Sequence, residues 1–157
     1  MKTASRPEAE ELEVSLFGPG YGEAVAIHIG DGQWVLVDSC FEPGSGTPEP
    51  LRYLNDFGVD VEQAVKLIVA THWHDDHIQG VSALLSECKS AKFAISGVLR
   101  TDEFLKLVGL RSGGFGAMSS GLDEFVQVFQ ILEERKVRGS RFNAPTLAIQ
   151  NRLLFRS

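Results

Sequence analysis

The chain has 157 residues, of which 43% are hydrophobic and 23% are charged, a balance typical of one globular domain. This composition argues against a disordered or fibrous chain, and no apolar run reaches the roughly 18 residues that span a bilayer. The acidic start does not resemble a signal peptide, and two cysteines are too few for a disulfide scaffold, so we predict a cytoplasmic location.

The formal net charge is −6, which disfavours nonspecific binding to nucleic acid. The basic residues, however, are concentrated at one end of the sequence. Six lysines and arginines follow Glu134, and no acidic residue follows it. This end either faces phosphate groups or pairs with acidic residues elsewhere in the fold, and we favour pairing.

The first part of the sequence predicts three antiparallel strands. Apolar residues alternate at 12–17, and two further strands are predicted at 23–29 and 33–37. The last two strands flank Gly30-Asp31-Gly32, which predicts a hairpin because such residues supply the positive φ of a tight turn. We expect residues 1–11 to be a tail and residues 12–157 to be one domain.

Helices and strands alternate after this hairpin, which is typical of an α/β domain with parallel strands. A loop rich in proline and glycine precedes the first helix, for which Thr47 is the predicted cap. The predicted elements are a helix near 49–57, a buried strand at 65–70, a helix at 77–88, a strand at 91–96 and a helix at 101–110.

The remaining sequence begins with a glycine-serine loop at 111–121. Apolar residues at helical spacing then predict a long amphipathic helix over 122–138, with Ser120 in a capping arrangement and Gly139 at its end. Two short strand-like runs, TLAIQ and RLLFR, follow this helix.

One cluster carries recognisable chemistry, the segment THWHDDH at 71–77, directly after the predicted buried strand. His72 and His74 project to the same side if this segment is extended. Asp76 and His77 then stand at the start of a helix and can point toward the same pocket. Imidazole and carboxylate groups suit zinc or iron, so the cluster predicts a site for two adjacent metal ions.

Other residues near the cluster have simpler interpretations. His28 alternates within a strand and is interpreted as a satisfied core group. Asp75 is expected to face solvent or to cap the following helix, and Trp73 to pack against the loop. Cys40 is interpreted as a small buried residue, although it is close enough in sequence to Asp38 to approach the metal pocket.

The segment THWHDDH resembles the H-x-H-x-D-H signature of the metallo-β-lactamase-fold hydrolases. WVLVDS at 34–39 is similar to the strand with an acidic end that precedes the metal loop in that family. The resemblance covers about residues 12–96, and it implies an α/β fold of the αββα sandwich type, of which we expect this chain to form the N-terminal half. The opening segment GPGYGEAVAIHIGDGQWVLVDS is similar to the hydrolase domain of DNA-uptake competence proteins.

Carried over by position, the resemblance implies that His72 and His74 bind a first metal ion and that Asp76 and His77 bind a second. It implies a metal-dependent hydrolase with two divalent ions, zinc or else iron or manganese, in which metal-bound hydroxide is the nucleophile and Asp76 helps to orient it. Asp38 is implied to orient the metal loop by hydrogen bonds. From the residues alone, Asp38 fits a turn cap equally well.

No histidine follows His77, whereas the family pattern supplies further ligands downstream. We therefore expect a missing C-terminal half or a partner subunit to complete the site. The substrate is expected to be a small molecule or a phosphodiester, with a slight preference for phosphodiester or nucleic acid. The alternatives are a catalytically silent metal-binding module, or truncated relic, within a larger assembly, and a purely structural zinc site.

Overall fold

The computed structural model describes residues 5–18, 22–42, 44–97, 120–142, 144–149 and 153–154. Within these ranges the chain forms six strands and five helices. The strands are β1 (Leu12–Phe17), β2 (Ala24–Ile29), β3 (Trp34–Val37), β4 (Val65–Ala70), β5 (Lys92–Ser96) and β6 (Thr146–Ala148). The helices are α1 (Glu49–Asp56), α2 (Val61–Ala64), α3 (Asp75–Ile78), α4 (Val81–Glu87) and α5 (Ser120–Val137).

All six strands belong to one sheet, in which they follow one another in sequence order. The strands β1, β2 and β3 pair antiparallel, and β3 through β6 pair parallel. The predicted hairpin between β2 and β3 is confirmed, since Gly30, Asp31 and Gly32 all have positive φ. The mixed α/β class expected from the sequence is therefore confirmed.

The helices and one face of this sheet enclose the hydrophobic core. Side chains of β2 and β3 such as Ala26, Trp34 and Leu36 pack in one cluster with residues of α1, α4 and α5. On β1 the alternate residues Leu12 and Leu16 are exposed, at 73% and 78%. The described residues thus supply one sheet with its helical layer, which corresponds to half of the predicted αββα sandwich.

Helix boundaries differ from the sequence prediction at two places. The predicted helix at 77–88 is divided into α3 and α4, because Gly80 has a φ of 88° and interrupts the helical backbone. A β-carbon at Gly80 would lie 2.8 Å from the side chains of Phe41 and Pro48, so this position also requires glycine for space. Helix α1 is capped by Pro48 without a side-chain hydrogen bond, so the prediction of Thr47 as its cap was wrong.

The long helix α5 begins at Ser120 and ends near Gly139, whose φ is 74°. The run TLAIQ contributes β6. The predicted helix at 101–110 and residues 111–119 of the predicted loop lie outside the described residues, as does most of RLLFR. None of the helices in the described ranges combines the length and apolar character needed to cross a bilayer.

The basic residues at the end of α5 meet different partners. Lys136 Nζ lies 3.2 Å from Glu133 Oε1, and Arg138 Nη2 lies 3.9 Å from Glu134 Oε2, so these two bases pair with acids one turn earlier on the same helix, whereas the expected partners were elsewhere in the fold. The expectation was wrong for Arg135, which is buried and donates hydrogen bonds to backbone carbonyl groups.

Candidate metal centre

The site lies at the carboxyl ends of β3 and β4, which are parallel neighbours. Asp38 follows β3 and Thr71 follows β4, so the two residues emerge at the same edge of the sheet. The backbone N–H of Asp38 still donates to the Val69 carbonyl at 2.8 Å. Its φ of 56° then turns the chain away from the sheet, in a conformation that residues other than glycine seldom adopt.

The Asp38 carboxylate is buried and accepts three hydrogen bonds. Oδ1 accepts the backbone N–H of Thr71 at 2.7 Å. Oδ2 accepts the Thr71 hydroxyl and is 3.1 Å from Nδ1 of His77. A carboxylate has about four lone-pair positions, so these contacts occupy most of its capacity. Asp38 is therefore placed to orient its neighbours.

The two imidazoles of His72 and His77 face each other beside Asp38. Their ring centroids are 4.8 Å apart. Asp38, His72 and His77 each offer one metal-ligand atom, and these three atoms lie within 4.8 Å of one another. His72 is exposed and His77 is half-buried, so the group opens toward solvent.

The other two predicted ligands lie at the rim of this group. The ring of His74 is stacked on that of His72, with 6.3 Å between centroids and 16° between planes, as expected for side chains two apart in an extended segment. His74 is exposed, and its other neighbour is the Trp73 ring at 4.8 Å. Asp76 Oδ2 lies 3.7 Å from His77 Nε2.

Backbone contacts from three segments fix the loop that carries these residues. The N–H of Ser39 donates to the His77 carbonyl at 2.9 Å, and the N–H of Glu23 donates to the Asp76 carbonyl at 2.9 Å. The third contact comes from α5, where the N–H of Gly121 donates to Asp75 Oδ1 at 2.5 Å. Asp75 therefore caps α5, and the expectation that it faces solvent or caps the next helix was wrong.

Sequence reasoning missed two residues of this site. Thr71 contacts Asp38 and lies with its Oγ1 2.8 Å from His72 Nδ1. Glu23 is exposed, and its Oε1 is 3.8 Å from His77 Nδ1. A signal was available for Thr71, because it is the last residue before the histidines and follows a strand that neighbours Asp38. Glu23 offered none, since β2 is separated from the cluster by more than 40 residues of sequence.

An open cavity of about 830 Å³ adjoins the site. Asp38, Thr71, His72 and His77 form its polar side together with Glu23. The apolar part of its lining comes from β1, β2 and β3, with Leu16, Phe17, Ala24, Val25 and Val37.

The donor set fits a divalent metal ion. Imidazole nitrogen and carboxylate oxygen are ligands that zinc and similar ions accept. Two atoms 3.7 Å apart, as His77 Nε2 and Asp76 Oδ2 are, can both lie about 2.1 Å from one ion. Cys40 is buried, as expected, and burial and, to a smaller degree, the charge of Glu49 raise the pKa of its thiol.

A comparison with protein families bears directly on this site. Residues 17–130 match the family model of the metallo-beta-lactamase superfamily. The chain belongs to the metallo-beta-lactamase superfamily. The matched range includes Asp38 and the whole segment THWHDDH, so the resemblance seen in the sequence is confirmed.

Two solved structures are also similar to this superfamily member. The Rm3 metallo-beta-lactamase is 24% identical over 52% of this chain and 28% of that chain, with a TM-score of 0.38. The hydrolase AbOPH in the beta lactamase superfamily is 20% identical over 82% of this chain and 44% of that chain, with a TM-score of 0.46. The chain thus spans less than half the length of either structure. No curated protein sequence matches it.

Within this superfamily member, the structure brings His72 and His77 together around Asp38 and leaves His74 and Asp76 at the rim. The individual roles of these residues as metal ligands remain predictions. The interpretation of His28 as a satisfied core group is confirmed. It is 1% exposed, and its Nδ1 lies 2.7 Å from the Glu11 carbonyl while its Nε2 accepts the Gly32 N–H at 3.1 Å.

Proposed function

We propose that this chain carries the metal-binding segment of a metal-dependent hydrolase. The observation that carries the proposal is the arrangement around His77. Its Nδ1 is held by Asp38 at 3.1 Å, and its Nε2 is directed toward Asp76 Oδ2 at 3.7 Å. A histidine whose second nitrogen is bound to a carboxylate is a typical metal ligand, because that contact fixes the tautomer and orients the ring.

We assign His72 and His74 to a first ion and Asp76 and His77 to a second. The first pair is supported by the near-parallel rings of His72 and His74, whose centroids are 6.3 Å apart and which are both exposed. The short separation of Asp76 and His77 supports the second pair. Asp38 is assigned the orienting role, because three donors already occupy its oxygens. We propose zinc as the metal, given the imidazole-rich donor set.

When bound, divalent metal ions supply Lewis acidity at the scissile bond and a water molecule of lowered pKa. The protein's own contribution is to fix the positions of the side chains around the site. The backbone bonds from Ser39 and Glu23 immobilise α3, so the Asp76 carboxylate is kept beside His77, which lines the cavity. From there it can orient the attacking water and accept a hydrogen bond from it.

The substrate class we propose is a phosphodiester, because the opening segment resembles the hydrolase domain of DNA-uptake competence proteins. The cavity is open to solvent and has a long apolar side, which also suits esters and lactones of small molecules. Each proposed ion has two ligands from this cluster. This count supports the proposal that a further segment or a partner subunit supplies the others. A cytoplasmic location remains part of the proposal.

The proposal is tested with the full-length protein. Metal content is measured by elemental analysis, and hydrolysis is measured with bis-p-nitrophenyl phosphate, a p-nitrophenyl ester and a lactone. We expect about two zinc ions per molecule, activity that a chelator removes and zinc restores, and a folded structure without metal. The double variant His72→Ala, His74→Ala should lose more than about 100-fold in activity while its circular dichroism is unchanged.

Gln130→Ala is the control, since Gln130 is exposed on α5, nine residues along the chain from Gly121. It should retain wild-type activity. Absence of zinc, iron and manganese from the purified protein contradicts the proposal. Bound metal without turnover of any of the three substrates contradicts its catalytic part and favours a silent binding module. Unfolding of the domain by the chelator points to a structural zinc site.

A further inference from the structure

We propose that Thr71 is a positioning residue that sets the tautomer of His72. In this arrangement the Thr71 hydroxyl donates to the Asp38 carboxylate and accepts from the imidazole, so that His72 carries its proton on Nδ1 and its Nε2 is unprotonated. The consequence for metal binding rests on the proposed function. The tautomer itself does not, because it is a property of the metal-free protein.

Counting protons fixes the direction of each hydrogen bond. An ionised carboxylate only accepts hydrogen bonds, so the Thr71 hydroxyl donates its single proton to Asp38 Oδ2. The same oxygen, Thr71 Oγ1, lies 2.8 Å from His72 Nδ1. With its proton already used, Oγ1 can only accept there, and the donor must be Nδ1–H of His72.

The imidazole of His77 contacts the same carboxylate directly. Asp38 Oδ2 accepts Nδ1–H of His77 at 3.1 Å. The backbone N–H of Thr71 meanwhile holds Oδ1 at 2.7 Å, which prevents the carboxylate from rotating. The Asp38 carboxylate therefore favours the Nδ1–H tautomer of both imidazoles. It acts on His77 directly and on His72 through Thr71.

The fold explains why a hydroxyl group is needed at this position. Thr71 follows β4 and Asp38 follows β3, so their backbones are held next to each other by the parallel pairing of Val37 with Val69. His72 is one residue further along and is exposed, and Thr71 Oγ1 contacts both its Nδ1 and the buried carboxylate. The Thr71 side chain spans the gap between them.

The direct test reads the tautomers of metal-free protein by multiple-bond ¹H–¹⁵N spectra near about pH 8. The variants are Thr71→Val, which keeps the shape and removes the hydroxyl, and Thr71→Ser, which keeps the hydroxyl. Thr47→Val is the matched control, a half-buried threonine in the loop before α1.

We expect His72 to be the Nδ1–H tautomer in the wild type, in Thr71→Ser and in Thr47→Val. In Thr71→Val, His72 should shift toward the Nε2–H form while His77 keeps its proton on Nδ1. An Nε2–H form of His72 in the wild type overturns the proposal, as does an unchanged His72 in folded Thr71→Val. If Thr71→Val does not fold, an Nε2–H form of His72 in the wild type or in Thr71→Ser still overturns the proposal.

A second readout is zinc affinity, measured by competition with a chromophoric chelator. Thr71→Val should bind zinc about 10- to 100-fold more weakly than the wild type, and Thr71→Ser within about threefold of it. Equal zinc affinity in Thr71→Val and the wild type counts against the positioning role. If the wild type binds no zinc, the proposed function fails, whereas the tautomer measurement still tests Thr71.

Discussion

The carboxylate of Asp75 accepts a hydrogen bond of 2.5 Å from the backbone N–H of Gly121, which is 46 residues away in the sequence. Asp75 is the first residue of α3, within the segment 71–77, and Gly121 lies in the first turn of α5. The first N–H groups of a helix have no partner within the helix, so an aspartate satisfies one of them and complements the helix dipole. The longest helix of the described chain is thereby attached to the back of the candidate site.

Replacing Asp75 by alanine should therefore destabilise the protein by about 1 kcal/mol, the usual effect of losing a helix cap. The free energy of unfolding in urea is the measurement. Asp60→Ala is the matched control, because Asp60 precedes α2 without a side-chain capping bond and should change the stability by less than about 0.5 kcal/mol. Equal effects of the two variants would exclude the capping role of Asp75.

Gly121 itself should not tolerate a side chain. A β-carbon at this position would lie 2.1 Å from the carbonyl oxygen of Trp73. Glycine to alanine within a helix ordinarily stabilises by up to about 1 kcal/mol, but here we expect a loss of about 2 kcal/mol or more. Thermal and urea unfolding show directly whether the free energy of unfolding rises or falls. Gly46→Ala, where nothing lies within 4 Å, should be close to neutral. A stabilised Gly121→Ala variant would show that the close approach is absent.

Arg135 should be the most important basic residue for stability. Its guanidinium donates to the carbonyls of Leu85 at 2.5 Å, Cys88 at 3.0 Å and Ala91 at 3.0 Å, joining α5 to the end of α4 and to the start of β5. Arg135→Met would remove the guanidinium donor from all three carbonyls, of which that of Cys88 also accepts the Ala91 N–H, so we expect a loss of about 2–3 kcal/mol in the free energy of unfolding.

Arg138→Met is the control for Arg135, since the Arg138 side chain is 78% exposed and forms a surface ion pair. Its effect should remain below about 0.5 kcal/mol. Similar losses in the two variants would mean that general charge at this end of α5, rather than carbonyl binding by Arg135, stabilises the fold.

Stability should fall at alkaline pH because of Cys88. Burial raises the pKa of this thiol to about 12, and the nearby Arg135 charge offsets only part of the shift. The folded chain therefore keeps a proton that the unfolded chain releases from a group of ordinary pKa 9.0. The stabilisation is complete below about pH 9 and is lost as the pH rises toward 12.

The measurement is the free energy of unfolding at about pH 8 and about pH 10, for the wild type and for Cys88→Ala. The wild type should lose more stability over this interval than the variant does. In the native state at about pH 8, iodoacetamide should leave Cys88 unmodified. Identical pH dependence in the two proteins would mean that other groups cause the alkaline loss.

The sequence predicted the local features of the fold well. The hairpin at Gly30-Asp31-Gly32 and the helix around 122–138 were both found from a few neighbouring residues, because turn chemistry and apolar periodicity act over short distances. The division of the helix at 77–88 was not found. Gly80 breaks it partly because Phe41 and Pro48 pack against that position, and those contacts are not visible in local sequence.

In the candidate site, too, local features were predictable from the sequence and contacts between distant residues were not. The sequence alone determined that three histidines and two aspartates lie together after a buried strand, since all are within one short segment. Only the tertiary structure decided that Asp38 meets Thr71, 33 residues later, and that Asp75 meets Gly121. The reason is that contacts between distant residues depend on which strands and helices become neighbours. That choice is made by packing of the whole sheet and its helices.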